Sequence, residues 1–204
     1  MRCSKIIGIC GGSASGKSLL SKELIKYFNG RSCRILQDSY YYAFDELSLE
    51  EKKKVNYDHP DAFDIRLMIT HLKKLKQGIT ISCPVYSYEL YTRTGEYNIE
   101  PKELIVLDGM YLFHYPELRN LIDIKIFIDV PENIRLKRMI ERDIAERGRT
   151  EAFAVEQFFR DMKPMHDLYV EIQREWADII LDGTKPQHSL LQEVKMNMEE
   201  KNHE

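Results

Sequence analysis

The chain has 204 residues, 43% of them hydrophobic and 31% charged, with a net charge of -3. That length suits one domain, or one domain with a small insertion, and a core that needs no disulfide staples. A mildly acidic chain gives no reason to expect nucleic acid as the main partner, so any anion site must be built locally.

The run Ile6 to Cys10 is too short for a secretory signal and leads straight into glycines, and no apolar stretch approaches the length of a membrane span. The cysteines are Cys3, Cys10, Cys33 and Cys83. None forms a Cys-x-x-Cys pair or has a His at metal-ligand spacing, which reads as reduced thiols in a cytoplasmic protein.

Lys5-Ile6-Ile7-Gly8-Ile9-Cys10 predicts a strand buried on both faces. Gly11-Gly12-Ser13-Ala14-Ser15-Gly16-Lys17-Ser18 follows, and then Leu19, Leu20, Leu24 and Ile25 recur at helical spacing up to the stop pair Asn29-Gly30. Arg34 to Gln37 predicts a second strand ending at Asp38. A short helix is expected over 49–55 and a longer one over 61–77, with Phe63, Leu67, Leu72 and Leu75 near one face. Residues 79–99 alternate and carry a turn signal, which predicts a small antiparallel insertion. Leu104 to Leu107 and Ile124 to Ile128 are further buried strands, ending at Asp108 and Asp129. Pro131 suits the first turn of a helix running to Glu146 and broken by Gly148. A second helix is expected over 151–169, bent at Pro164, then a last strand at Ile179-Ile180-Leu181 and a terminal amphipathic helix. Strands alternating with helices predict an α/β fold. With the Gly-rich string after the first strand, the expectation is a three-layer P-loop NTPase-type domain over 1–204, with a mainly parallel five-stranded sheet, the insertion at about 79–99 and a helical lid at about 131–165.

The Gly-rich string has the pattern G-x-x-x-x-G-K-[ST], and each part has a mechanical reason. The glycines let backbone N–H groups turn toward phosphate oxygens, and the helix that follows adds the positive end of its dipole. Lys17 can reach the β- and γ-phosphates, and Ser18 can ligate magnesium. Asp38 and Asp108 each end a strand of a sheet whose first strand feeds this loop, where ligands of such sheets bind. Asp108 is placed to hold magnesium, and Asp38 to accept the proton of an attacking hydroxyl. Either could instead only start a turn. Arg135, Arg138 and Arg142 lie near one helix face, with Arg147 and Arg149 beyond. Glu141, Asp143 and Glu146 lie nearby, so the default is a solvated, salt-bridged face, and the alternative is a lid closing over phosphates. The histidines receive no catalytic role, and His71 and His188 are read as surface residues of helices.

The chain resembles the uridine–cytidine kinases, with the phosphoribulokinases as more distant kin, from Ile6 to Gly183. Besides the Gly-rich string, the segments that carry the likeness are Gln37-Asp38-Ser39-Tyr40-Tyr41, Asn56-Tyr57-Asp58-His59-Pro60-Asp61-Ala62-Phe63-Asp64, Pro84-Val85-Tyr86, Arg142-Asp143-Ile144-Ala145-Glu146-Arg147-Gly148-Arg149, Lys163-Pro164-Met165 and Ala177-Asp178-Ile179-Ile180. The resemblance implies transfer of phosphate from ATP, with Mg2+, to a pyrimidine nucleoside 5′-hydroxyl. It implies Asp38 as general base, Tyr41 beside the substrate, and Asp58 on the ribose. It puts Tyr86 and Arg149 on the base, Arg142 and Arg147 on the phosphates from the lid, and Gln157 closing the nucleoside pocket. A homo-oligomer, often a tetramer, is implied as well.

The sequence departs from the family pattern on the nucleoside side. Ser87 stands where Asp is usual, Tyr91 where a His often reads the pyrimidine edge, and Met139 where an Arg holds the ribose. Asp108 replaces a commoner Glu. A changed edge reader can shift preference between uridine and cytidine or admit another acceptor. Two other readings therefore stay open: a kinase of the same fold acting on a sugar phosphate or modified nucleoside, and a nucleotide-binding switch. Against the switch, the chain has no Asn-Lys-x-Asp guanine-reading motif.

Overall fold

The computed structural model describes residues 4–200, leaving aside the side chains of Glu146, Arg147 and Glu200. Its elements in order are β1 (Lys5–Gly11), α1 (Lys17–Phe28), β2 (Ser32–Leu36), α2 (Leu49–Lys52), α3 (Ile65–Lys76), β3 (Ile81–Ser87), β4 (Thr92–Ile99), β5 (Leu104–Asp108), α4 (Pro116–Arg119), β6 (Ile124–Asp129), α5 (Glu132–Arg147), α6 (Glu151–Gln157), α7 (Lys163–Met165), β7 (Ile179–Asp182) and α8 (Gln187–Glu200).

Five strands form a parallel sheet in the order β2-β5-β1-β6-β7, with Ile7 opposite Val106 on one side and Ile124 on the other. Side chains alternate across each strand, so adjacent apolar residues serve two cores. Ile6, Cys10, Ile105 and Leu107 pack with Met68, Leu72 and Leu75 of α3 on one face. Ile7, Ile9, Val106 and Ile126 pack with Leu20 and Leu24 of α1 and Leu190 and Val194 of α8 on the other. A helical layer on each face explains why the strands read as continuous apolar runs. β3 and β4 form a separate antiparallel pair with a bulge at Val85/Tyr86. Met139, Ala154 and Phe158 make a small third core joining α5 to α6.

Three expectations need correction. The third helix begins at Ile65, not 61. Phe63 is extended and bridged to Tyr41, and Asp64 caps the helix by accepting the Leu67 N–H at 3.0 Å. Its buried residues are Ile65, Met68, Ile69, His71, Leu72 and Leu75. His71 is therefore not a surface residue: it is 6% exposed, and its Nδ1 meets the Tyr40 hydroxyl at 3.0 Å. The helix expected to end at 169 runs on in helical backbone to Trp176. It passes through π-helical turns at Phe158–Met162 and His166–Val170 and a closing 3-10 segment, Glu171–Trp176. Pro164 sits in α7, between the two π turns.

Cys10, Cys33 and Cys83 are free thiols, and Cys3 lies outside the described residues. Among the described residues no helix is long and apolar enough to cross a membrane.

Candidate functional site

β1 delivers the Gly-rich loop to the carboxyl edge of the sheet, between β5 and β6. Gly11 and Gly16 adopt φ of 144° and 99°, values that L side chains rarely reach, and Ala14 is also left-handed at 61°. A side chain at Gly11 would moreover strike the Ile128 carbonyl at 2.6 Å. α1 starts directly from Gly16, and no side-chain hydrogen bond caps it. Its first N–H groups therefore face the loop, the arrangement that receives an anion. Lys17 is 8% exposed and donates to the Gly12 carbonyl at 2.7 Å. Burial lowers its pKa, opposed by Asp108, Cys10 and Asp38 and reinforced by Arg142. Asp108, Asp38 and Arg142 thus all act electrostatically on one ammonium group.

Asp108, 5% exposed, gathers three donors on Oδ2: Ser18 Oγ at 2.8 Å, Ser21 Oγ at 3.1 Å and Arg34 Nη2 at 2.6 Å. A hydroxyl and a carboxylate side by side are hard oxygen donors of the type magnesium takes in phosphate-transfer sites. Ser21 and Arg34 were not legible as site residues, since helix register and strand pairing bring them in. Cys10, beneath the loop, is inert: burial pushes its thiol up to about 12.

Asp38 lies on a 3-10 turn, Gln37–Tyr40, at the end of β2. Buried Gln37 accepts the Tyr111 N–H at 2.9 Å and ties this turn to the chain after β5. Arg93 of β4 clamps the other side, donating to the Tyr41 carbonyl at 3.0 Å, the Tyr40 carbonyl at 3.3 Å and Asp64 at 3.3 Å. The hydroxyl of Tyr88, in the β3–β4 turn, donates to Asp38 Oδ2 at 2.7 Å.

An aromatic chamber adjoins Asp38. Tyr41 stacks on Phe63 at 4.2 Å between ring centres and meets Tyr86 at 5.0 Å and Tyr57 at 5.6 Å. Tyr91, left-handed at φ 50°, faces Tyr57 at 5.4 Å. Burial raises the Tyr41 pKa, and then Asp38 and Asp58 add to it, so both carboxylates lie within electrostatic reach of that hydroxyl. The Tyr57 and Tyr86 hydroxyls lie close enough to act on each other, lowering the Tyr57 pKa and raising that of Tyr86, though outside hydrogen-bond geometry. Both are buried without a partner among the described residues. Asp58 is held by its backbone, its carbonyl accepting from the Tyr111 hydroxyl.

The face of α5 expected to be solvated is instead partly interior. Arg135 is 4% exposed and donates to the Val130 carbonyl at 3.1 Å. A side chain at Gly12 would lie 2.8 Å from Arg135 Nη1 and 2.9 Å from His166 Nδ1, so both groups cover the phosphate loop. Burial, and then Arg135, push His166 down to about 4. Arg138 donates to the Gly183 carbonyl at 3.1 Å. Arg142 and Arg149 both bind Asp143, and Arg149 also reaches Gln157 Oε1 at 2.7 Å. The Arg147 side chain, expected on the phosphates, lies outside the described residues. Met139 is fully buried against Ala154 and Phe158. Ser87 accepts the Leu90 N–H at 3.2 Å and shapes the hairpin turn.

Residues 6–188 match the model of the phosphoribulokinase/uridine kinase family. The chain belongs to this family. It is similar to the uridine kinase of Listeria innocua, 43% identical over 178 residues, covering 86% of this chain and 85% of the relative. It is 45% identical to the uridine kinase of Halalkalibacterium halodurans over the same length, covering 86% and 84%. Among solved structures, phosphoribulokinase from Rhodobacter spheroides superposes with a TM-score of 0.66 at 15% identity, covering 92% of this chain and 75% of that one. D-glycerate 3-kinase from Cryptococcus neoformans gives 0.67 at 15%, covering 91% and 88%. These two likenesses establish the shared P-loop kinase fold. Family membership makes the protein a nucleotide-using phosphotransferase with an alcohol acceptor.

Proposed function

We propose that this kinase phosphorylates a pyrimidine nucleoside, uridine or cytidine, at the 5′-hydroxyl, using ATP. The observation that carries the reading is the adjacency of an acidic turn, the aromatic chamber and the phosphate loop. Asp38 borders Tyr41 on one side and acts electrostatically on Lys17 on the other. A flat base fits the walls of Tyr41, Tyr57, Tyr86 and Tyr91, because aromatic faces bind planar rings. The unpartnered hydroxyls of Tyr57 and Tyr86 offer the hydrogen bonds that such a base needs.

In this reading residues 11–18 cradle the triphosphate, and Lys17 turns from the Gly12 carbonyl to the phosphate oxygens. Asp38 takes the proton of the 5′-hydroxyl as that oxygen attacks the γ-phosphorus, and ADP leaves. Asp58 receives the ribose hydroxyls. Tyr86, Tyr91, Arg149 and Gln157 bound the base, and Arg142 and Arg147 serve the phosphates. Residues 131–165 act as the lid. Ser18 and Asp108 would hold Mg2+, which supplies charge neutralisation between phosphates. The experiment is product identification after incubation with ATP, Mg2+ and uridine: a 5′-monophosphate is expected, with no product from 5′-deoxyuridine. A product phosphorylated elsewhere, or turnover of 5′-deoxyuridine, would overturn the assignment of the acceptor.

A further inference from the structure

The pattern G-x-x-x-x-G-K-[ST] leaves its second position open, yet this chain has Gly12 there. Gly12 does not take a left-handed φ, unlike Gly11 and Gly16, so no turn demands it. A close approach does. The three atoms nearest to a Cβ at Gly12 are Arg135 Nη1 at 2.8 Å and His166 Nδ1 and Cε1 at 2.9 and 3.0 Å. The guanidinium comes from α5 and the imidazole from the π-helical turn His166–Val170. Both lie on the backbone of the phosphate loop.

Arg135 is 4% exposed, but its charge is not matched. Its Nε donates to the Val130 carbonyl at 3.1 Å, and among the described residues its Nη groups make no hydrogen bond and no carboxylate pairs with it. The acids of the surrounding segments are taken by other groups. Glu132 and Asp167 bind Lys163 at 2.6 and 2.9 Å, Asp129 binds Arg174 at 3.2 Å, and Glu171 meets His166 Nε2 at 3.2 Å. A buried cation without a partner is costly, so its natural complement is an anion that arrives from outside. The place of arrival follows from Lys17, which donates to the Gly12 carbonyl at 2.7 Å. Arg135 and the head of Lys17 therefore meet the loop at the same residue, and that lysine serves the β- and γ-phosphates.

We propose that Arg135 is a ligand of the terminal phosphate of the donor nucleotide, its free Nη groups closing on the γ-phosphate oxygens beside Lys17. The resemblance assigns the phosphates to Arg142 and Arg147 and gives Arg135 no part. The inference rests on residues 11–18 as the triphosphate cradle and is independent of which acceptor is used. A planar guanidinium suits the task, because its fork can give two N–H donors to one phosphate. ADP lacks that phosphate, so Arg135 tells the donor from the nucleotide left after transfer and favours release of the latter.

The test is calorimetry with Mg2+ and either a non-hydrolysable ATP analogue or ADP. Arg135→Met keeps an unbranched stem and removes the charge. It should raise the analogue Kd by about tenfold or more, the loss expected for charge-assisted hydrogen bonds, and leave the ADP Kd within about twofold of wild type. The thermal midpoint without nucleotide should stay within a few degrees of wild type, because the lost charge was unmatched. Arg135→Lys keeps the charge without the fork, so its analogue Kd should lie between those of wild type and Arg135→Met, again with the ADP Kd unchanged. This second variant decides the matter should Arg135→Met not fold. Equal weakening of analogue and ADP, or no change in either, would overturn the assignment and leave the phosphate-loop reading standing. Equal weakening joined to a lowered midpoint would make Arg135 a residue that only holds the fold. Wild-type protein that binds neither nucleotide would overturn the phosphate-loop reading, and this inference with it.

Discussion

Tyr88 donates its hydroxyl to Asp38 Oδ2 at 2.7 Å, so the turn of the β3–β4 hairpin touches the carboxylate that we assign as general base. The contact holds one oxygen of Asp38. It also makes the antiparallel insertion, remote in sequence from the phosphate loop, part of the reacting centre. Tyr88 is 53% exposed and contributes little to the core.

Tyr88→Phe should lower kcat by about tenfold, the size expected for one hydrogen bond to a charged group, ~1.5 kcal/mol, with no change in thermal midpoint. Asp38→Asn should be far more damaging, about a hundredfold or more, because it removes the proton acceptor itself. ATP binding should survive in both. Steady-state kinetics beside nucleotide calorimetry checks the ordering, and equal effects of the two substitutions would remove Asp38 from its role as base.

Arg34 reaches Asp108 from β2 at 2.6 Å, across a pair that is 19% and 5% exposed. Arg34→Met should destabilise the fold by roughly 1–3 kcal/mol, since Asp108 keeps its two serine donors. It should also shift the Mg2+ concentration for half-maximal turnover several-fold. Denaturant melts and a magnesium titration read the two effects separately.

His166 is neutral in the folded state, with its pKa pushed to about 4 by burial and then by Arg135, while Asp167 acts in the opposite direction. The unfolded imidazole titrates near 6.5, so between about 6.5 and 4 the unfolded chain binds more protons. Stability therefore falls as pH drops through this window, by at most ~3 kcal/mol from this one group. His166→Gln should flatten that part of the stability–pH profile relative to wild type. Parallel profiles for the two proteins would exclude His166 as the source.

Met139 stands where the resemblance placed a ribose-holding Arg, but its side chain fills the core between α5 and α6. Restoring the charge by Met139→Arg should cost about 3 kcal/mol or more, as burying an unpaired guanidinium does, and should not tighten nucleoside binding. Improved nucleoside affinity in a stable variant would show that this position opens toward the substrate.

The parts of the molecule that were legible in the sequence are those made by contiguous residues. The phosphate loop is a single string, and strands buried on both faces read as apolar runs ending in Asp38 and Asp108. The parts that were not legible depend on partners distant in the chain. Arg34 and Ser21 meet at Asp108 only because β2 pairs with β5 and α1 packs above. Arg93 clamps the Asp38 turn from 52 residues away at the Tyr41 carbonyl. His71 looked like a surface residue because a histidine in a helix gives no sign of the Tyr40 hydroxyl waiting beneath it. Asp143 read as one more surface charge among arginines, since helical spacing alone does not reveal that its face turns inward. The start of α3 was misread for a related reason: the Tyr41–Phe63 bridge outweighs the helical pattern of the residues before Asp64.

The most direct test of the central claim is ADP release from ATP and Mg2+ with uridine, cytidine, purine nucleosides and ribulose 5-phosphate offered one at a time. Strong turnover with uridine or cytidine alone is the predicted result, and it would make Tyr91 and Met139 tolerated variations of a pyrimidine nucleoside kinase. Turnover with ribulose 5-phosphate or a purine nucleoside and not with uridine or cytidine would contradict it. So would ADP release that no added acceptor stimulates.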